Sequence, residues 1–153
     1  MAAPQNHWKL GLFVVSGFAG NIFSFMFSLA PSLGSSTAIF GLLAAEAVFL
    51  FRNQKILGGA ARRALTNLVI IALINLVIGL SPGLNIDIWG HIGGLIGGAI
   101  FAWIGGPVLT VTGGYGDLRV EDQHTPRDVA AAAVLAGAFF VILALVTIYL
   151  RGN

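Results

Sequence analysis

The chain has no cysteine and very little charge. Without thiols there is no disulfide framework, no thiolate nucleophile and no sulfur ligand for a metal, and the redox compartment leaves no mark. Charged residues make up 9% of the chain, where a soluble domain carries about 25%. Hydrophobic residues make up 57%, and the mean hydropathy is +0.90. A water-facing surface cannot be built from that composition, so the chain reads as an integral membrane protein. The net charge of +2 is too small to imply a nucleic-acid partner. His7, His91 and His124 are scattered and form no HExxH-type spacing, so neither a metal nor any other cofactor is expected. The apolar stretches are too many and too long for one signal peptide, and no cleavage pattern follows residues 1–9. Tandem repeats and low-complexity tracts are absent.

What is present is a series of apolar runs. The pattern predicts an all-α, polytopic transmembrane helix bundle of about five spans, at residues 10–30, 36–51, 64–80, 88–109 and 129–150. The second is short, about 24 Å at 1.5 Å per residue, which suits a helix whose polar start is sunk below the membrane surface. The connector 52–63 holds Arg52, Lys55, Arg62 and Arg63, four of the eight basic residues, and no acid. By the positive-inside rule it faces the cytoplasm. The turns at 31–35 and 81–87 are then outside, the mixed-charge loop 110–128 is inside, and the C-terminus is outside.

Two residues stand out. Ser36 opens the second span after a glycine- and serine-rich turn. It can cap orphan backbone N–H groups or act as a nucleophile beside them. A hydroxyl attacks at neutral pH only with a base, and His91 is an imidazole inside the fourth span. An ionisable group there is expensive and points to function, although a histidine that bonds helices together is the plain reading. Both lie near the outer ends of their spans, at a similar depth. Gly90, Gly94 and Gly98 recur at every fourth position, with Gly93 and Gly97 beside them, and Ala38, Gly41 and Ala45 make a comparable face on span two. Two small-residue faces allow the close backbone approach that a Ser–His hydrogen bond needs.

The remaining polar residues have structural readings. Glu46 lies about 15 Å deeper than Ser36 along the same helix, too far to orient His91. It is expected to pair with an asparagine or a basic-loop residue. Asn21, Asn67 and Asn75 are expected to form hydrogen bonds between helices. Trp8, Trp89 and Trp103 fall near span ends and read as interfacial anchors. Span five, with Thr147 and Tyr149 its only polar residues, reads as a peripheral helix.

The segment 34–42, GSSTAIFGL, resembles the nucleophile motif of rhomboid intramembrane serine proteases. The segment 85–95, NIDIWGHIGGL, is similar to the one that carries their catalytic histidine, and 16–21, SGFAGN, to the helix before the nucleophile. The likeness covers roughly residues 8–105 in the same order. It implies a Ser36–His91 dyad without aspartate, cleaving other membrane proteins within or near their transmembrane segments. Ser36 would be nucleophile and His91 base, then acid. The Ser36 amide would help form the oxyanion hole, and Gly34 would leave room for the substrate backbone. The partners implied are transmembrane protein substrates and the lipid bilayer, and the expected place is the plasma (inner) membrane of a prokaryote.

Two departures accompany the likeness. Thr37 stands where the family usually has glycine. The family core also has six helices, and its second carries a histidine and an asparagine that help hold the oxyanion. This chain is expected to begin at the third, making 1–109 a partial catalytic core, 110–128 a cytoplasmic loop and 129–153 an additional transmembrane helix. His7 sits at the wrong face to replace the missing donors. The leading reading is therefore a serine endopeptidase. Its rivals are a rhomboid-like pseudoprotease or fragment that binds transmembrane clients, and a purely structural bundle. The topology is directly testable because the chain lacks cysteine. A single cysteine at Gln54 should resist an impermeant maleimide in intact cells and react after permeabilisation. Efficient labelling in intact cells would invert the topology.

Overall fold

A computed structural model describes residues 6–28, 35–81, 83–84, 86–114 and 117–152. The elements are α1 (Asn6–Phe27), α2 (Ser36–Arg52), α3 (Gln54–Gly79), α4 (Ile88–Gly105), β1 (Leu109–Thr112), β2 (Arg119–Asp122) and α5 (Pro126–Gly152). The molecule is a helical membrane bundle, as its composition requires. Four described helices, α1, α3, α4 and α5, are long and apolar enough to cross a bilayer. The fifth, α2, has 17 residues and lies against α1, α3 and α4.

Helix α4 is the centre of the bundle, packing on α1 along one flank and α2 along the other. Its glycines explain how. A Cβ at Gly94 would collide with the Thr37 carbonyl, and one at Gly98 with the backbone of Gly41. On the other flank, Gly93 abuts the Ala19 carbonyl and the Gly20 Cα, and Gly97 the Ala19 methyl. The positions 94 and 98 thus serve α2, while 93 and 97 serve α1; Gly90 makes room for its own cap, Asp87, and lies beside both Thr37 of α2 and Gly20 of α1. Apolar lipid offers no hydrophobic drive for helices to associate, so close van der Waals contact between backbones carries the assembly. Helix α5 covers α1 and α4 from outside, with Ala132 against Gly105 and Phe140 fully buried. Helix α3 touches mainly α2 and is otherwise exposed.

The end that carries Arg52 is fastened by polar ties. Asn53, only 2% exposed, donates through Nδ2 to the Phe49 and Pro107 carbonyls and accepts the Leu109 amide on Oδ1. It joins the α2–α3 turn to the chain leaving α4. Arg52 donates to the Trp103 carbonyl at 2.6 Å. Asp122 accepts from the Val108 and His124 amides, and His124 Nδ1 donates to the Gly106 carbonyl. At the opposite end, Arg151 donates to the Met26 carbonyl in the last turn of α1.

Several boundaries differ from the sequence reading. The basic connector is helical from Gln54, with one break at Gly58, where φ is +64°. Gln54, Lys55 and Leu57 before the break and Ala60, Ala61, Arg62 and Arg63 after it are good helix formers, and glycine supplies the kink. Helix α4 stops at Gly105 rather than 109, because Pro107 holds Gly106 extended (φ −74°, ψ 153°). The segment expected as loop 110–128 pairs as an antiparallel hairpin, Val111 opposite Val120. Helix α5 begins at Pro126, behind a capping arrangement in which the Asp128 carboxylate accepts from the Thr125 amide and hydroxyl. Glu46 has no hydrogen-bond or ionic partner among the described residues. It is exposed on the α2 face that bears Ile39 and Leu42 and lines an open cavity of about 780 Å³. Asn75 bonds its own helix at Ile71, while Asn21 and Asn67 are exposed, so these amides do not join helices.

Replacing Gly94 by leucine should push α4 off the α2 backbone and cost about 3 kcal/mol or more. The control is Gly137→Leu on α5, where a Cβ meets nothing within 4 Å; its stability should stay within about 1 kcal/mol. Equilibrium unfolding in detergent measures both, and equal losses would remove the glycine contact from its central place.

Candidate active site

The start of α2 and the first turn of α4 lie side by side. Asp87 caps α4: its Oδ1 accepts the Gly90 amide at 2.8 Å, and its carbonyl accepts the His91 amide. The cap fixes where the helix begins and therefore which way position 91 points. On α2 the preceding residue, Ser35, makes no side-chain cap bond. The first helical bond runs from Ile39 N–H to the Ser35 carbonyl. The amides of residues 36–38 precede that bond and belong to the orphan donors of a helix start.

The Ser36 hydroxyl lies 3.0 Å from His91 Nε2. That is hydrogen-bond distance for a nucleophile and a base. Ser36 is exposed, whereas His91 is 6% exposed. The imidazole stacks on Phe40, with ring centroids 4.1 Å apart and planes 17° from parallel. Phe40 sits one turn after Ser36, so a single helix presents both the hydroxyl and the ring's flat support. His91 Nδ1 is buried and has no hydrogen-bond partner among the described residues. For Nε2 to accept the serine proton, the resting ring proton must sit on Nδ1.

Thr37 occupies the three-helix junction and is buried. A Cβ on Gly20 would strike its methyl, one on Gly94 its carbonyl, and one on Gly90 would come within 3.2 Å of its hydroxyl. Glycines from two neighbours make the notch that this side chain fills. Gly41 contacts Ser16, and Gly98 contacts Gly41. Gly34 lies outside the described residues. Sequence reasoning missed two participants, Phe40 and Asp87. The first had a legible signal, an aromatic four residues after the serine. So did the second, an Asp three residues before Gly90 at a helix start. Gly20 belongs to a small face of α1, with Ser16, Gly17 and Ala19, that the sequence marks for close helix approach; that it receives Thr37 depends on how α1 crosses α2.

The stack should show as energetic coupling. A double-mutant cycle with Phe40→Leu and His91→Ala should give about 0.5–1.5 kcal/mol beyond additivity. Equilibrium unfolding measures it, and a coupling near zero would make the stack incidental.

Comparison with known proteins shows the family. Residues 7–108 match the family described as Rhomboid domain. The chain is 45% identical over 87 residues to rhomboid protease GluP of Bacillus subtilis, an alignment covering 57% of this chain and 16% of that protein. It is 36% identical over 121 residues to RHOMBOID-like protein 1 of Arabidopsis thaliana, covering 78% of this chain and 29% of that one. The mitochondrial RHOMBOID-like protein 6 of the same plant matches at 36% over 121 residues, covering 38% of its length. The chain thus spans well under half the length of these relatives. With two-thirds of its residues inside the matched domain, and those residues folded as a helical membrane bundle, the chain belongs to the rhomboid family.

Proposed function

We propose that the chain carries the nucleophile and base of an intramembrane serine endopeptidase, Ser36 and His91, acting on transmembrane protein substrates. The observation that supports this most is the 3.0 Å approach of His91 Nε2 to the Ser36 hydroxyl. Ser36 Oγ attacks the scissile carbonyl carbon while its proton passes to Nε2. The carbonyl oxygen becomes an oxyanion beside the Ser36 amide and the positive end of α2. The C–N bond then breaks, and Nε2–H protonates the departing amine. An ester on Ser36 remains. A water deprotonated by His91 hydrolyses it and restores the serine. Stacking on Phe40 limits rotation of the ring between these transfers. The family resemblance gives Gly34 the role of leaving room for the substrate backbone.

The small faces of Gly41, Gly90, Gly94 and Gly98 hold the two helices at the distance this chemistry needs. The basic connector 52–63 faces the cytoplasm, so the dyad opens toward the outer leaflet. The setting is the plasma membrane of a prokaryote, consistent with higher identity to the Bacillus relative than to the plant ones. A second reading draws on relatives named rhomboid-like: a family member that holds transmembrane clients without cutting them.

A fluorophosphonate probe, applied in native membranes to a chain completed with the two core helices that the family resemblance adds, separates the two readings; the 153 residues alone should label weakly or not at all, because half the oxyanion donors are then absent. In the completed chain, wild type should label. Ser36→Ala and His91→Ala should each remove labelling, because members of a catalytic unit each cost orders of magnitude in rate. Ser35→Ala should retain most of it. Labelling that survives Ser36→Ala overturns the assignment. Absence of labelling in folded wild type supports client binding without cleavage.

A further inference from the structure

The hairpin between α4 and α5 has two unlike faces. Cross-strand partners point to the same side of a sheet. Leu109 with Asp122 and Val111 with Val120 therefore share one face, and Thr110 with Glu121 and Thr112 with Arg119 share the other. Leu118, two residues before Val120, continues the apolar alternation. Val111 is 53% exposed, Val120 58% and Leu118 72%. Alternation of this kind marks a strand with one dry face and one wet face, yet no protein covers the apolar one among the described residues.

The base of the hairpin shows which way that face looks. Leu109 and Asp122 line the open cavity together with Trp8, Lys9 and Leu12 of α1 and Val129 of α5. The apolar face is thus the one turned back toward the helices. The base is pinned to the ends of two membrane-crossing helices by Asn53, Asp122 and His124. Four residues of strand reach only about 14 Å, so the apolar face stays near the bilayer surface. Lys9, Arg52, Lys55 and Arg127 stand at the same end, matching anionic headgroups.

We infer that the hairpin lies on the membrane, with Val111, Leu118 and Val120 seated in the lipid interface beside the ends of α4 and α5 and with Thr112, Arg119 and Glu121 facing water. The occupant of the apolar face is lipid, the medium that α4 and α5 already contact. The hairpin then works as a surface float that sets the depth of α4, the helix that carries His91.

The test uses the chain's lack of cysteine. Single cysteines at 111, 112, 119, 120 and 121 carry an environment-sensitive fluorophore, and the 153-residue chain is reconstituted in phosphatidylcholine–phosphatidylglycerol vesicles. Quenching by a doxyl-labelled phosphatidylcholine should be severalfold higher at 111 and 120 than at 112, 119 and 121. Aqueous iodide, present on both sides, should show the reverse order. Adding Val120→Asp should lower lipid quenching at 111 and raise iodide quenching there, because a charge on that face opposes insertion. Equal iodide quenching at all five positions would show a hairpin free in water and overturn the proposal. So would protection at 111 and 120 that vanishes on dilution with lipid, which would identify a second copy of the chain as the occupant.

Discussion

Backbone contact between α2 and α4 is the constraint on which the rest depends. Gly94 lies on the Thr37 carbonyl and Gly98 on the Gly41 backbone. A side chain at either position would hold the helices apart. A hydrogen bond tolerates only a few tenths of an ångström beyond its optimum before it weakens. The 3.0 Å between Ser36 and His91 is therefore a consequence of missing side chains about one and two turns along the helices. In water, burial of apolar groups could help enforce such contact. In lipid it cannot, so shape alone must do so, and glycine gives the closest shape.

Contact fixes the distance between helices but not their position along each other. Small smooth faces permit sliding, and sliding by one residue would move Ser36 away from His91 by about 1.5 Å. The polar ties at the far end resist that. Asn53 holds the end of α2 to the carbonyl of Pro107 and the amide of Leu109, just past the end of α4. Its amide is almost wholly buried, so losing a partner would leave a desolvated donor or acceptor. Arg52 adds a bond to Trp103. The site end contributes Asp87, which sets where α4 starts. Glycines and the polar anchors thus divide the work between separation and register.

The legible part of this was the part written in composition and period. Low charge and long apolar runs gave the membrane class. The four-residue spacing of Gly94 and Gly98 marked the α2-facing stripe, and the depths of Ser36 and His91 followed from counting residues. What failed were local boundaries and polar partners. The connector 52–63 looked like a loop because it is charged, but charge at a membrane surface does not oppose helix formation. Asn53 was passed over as one polar residue among several, while Asn21, Asn67 and Asn75 received inter-helix bonds they do not make. Which face an isolated asparagine presents depends on helix rotation, and sequence period alone does not fix that in a helix apolar all round. The hairpin escaped notice because two four-residue strands give little periodic signal.

Thr37 shows how a departure from a family pattern can be absorbed. A β-branched residue after the serine restricts χ1 and adds volume where helices meet most closely. The volume is taken up by Gly20 on α1, whose missing side chain leaves room for the threonine methyl, and by Gly90 on α4, which lies next to the hydroxyl. The backbone of α2 keeps its course: residue 37 is in regular helix and the Ser36 hydroxyl still meets His91. Position 37 is therefore read with positions 20 and 90 as one packing unit. A larger residue at either glycine would have to displace Thr37, and Thr37 is bonded through one peptide to Ser36. Packing errors on α1, a helix that contributes no reacting atom, are in this way transmitted to the hydroxyl by a single covalent step.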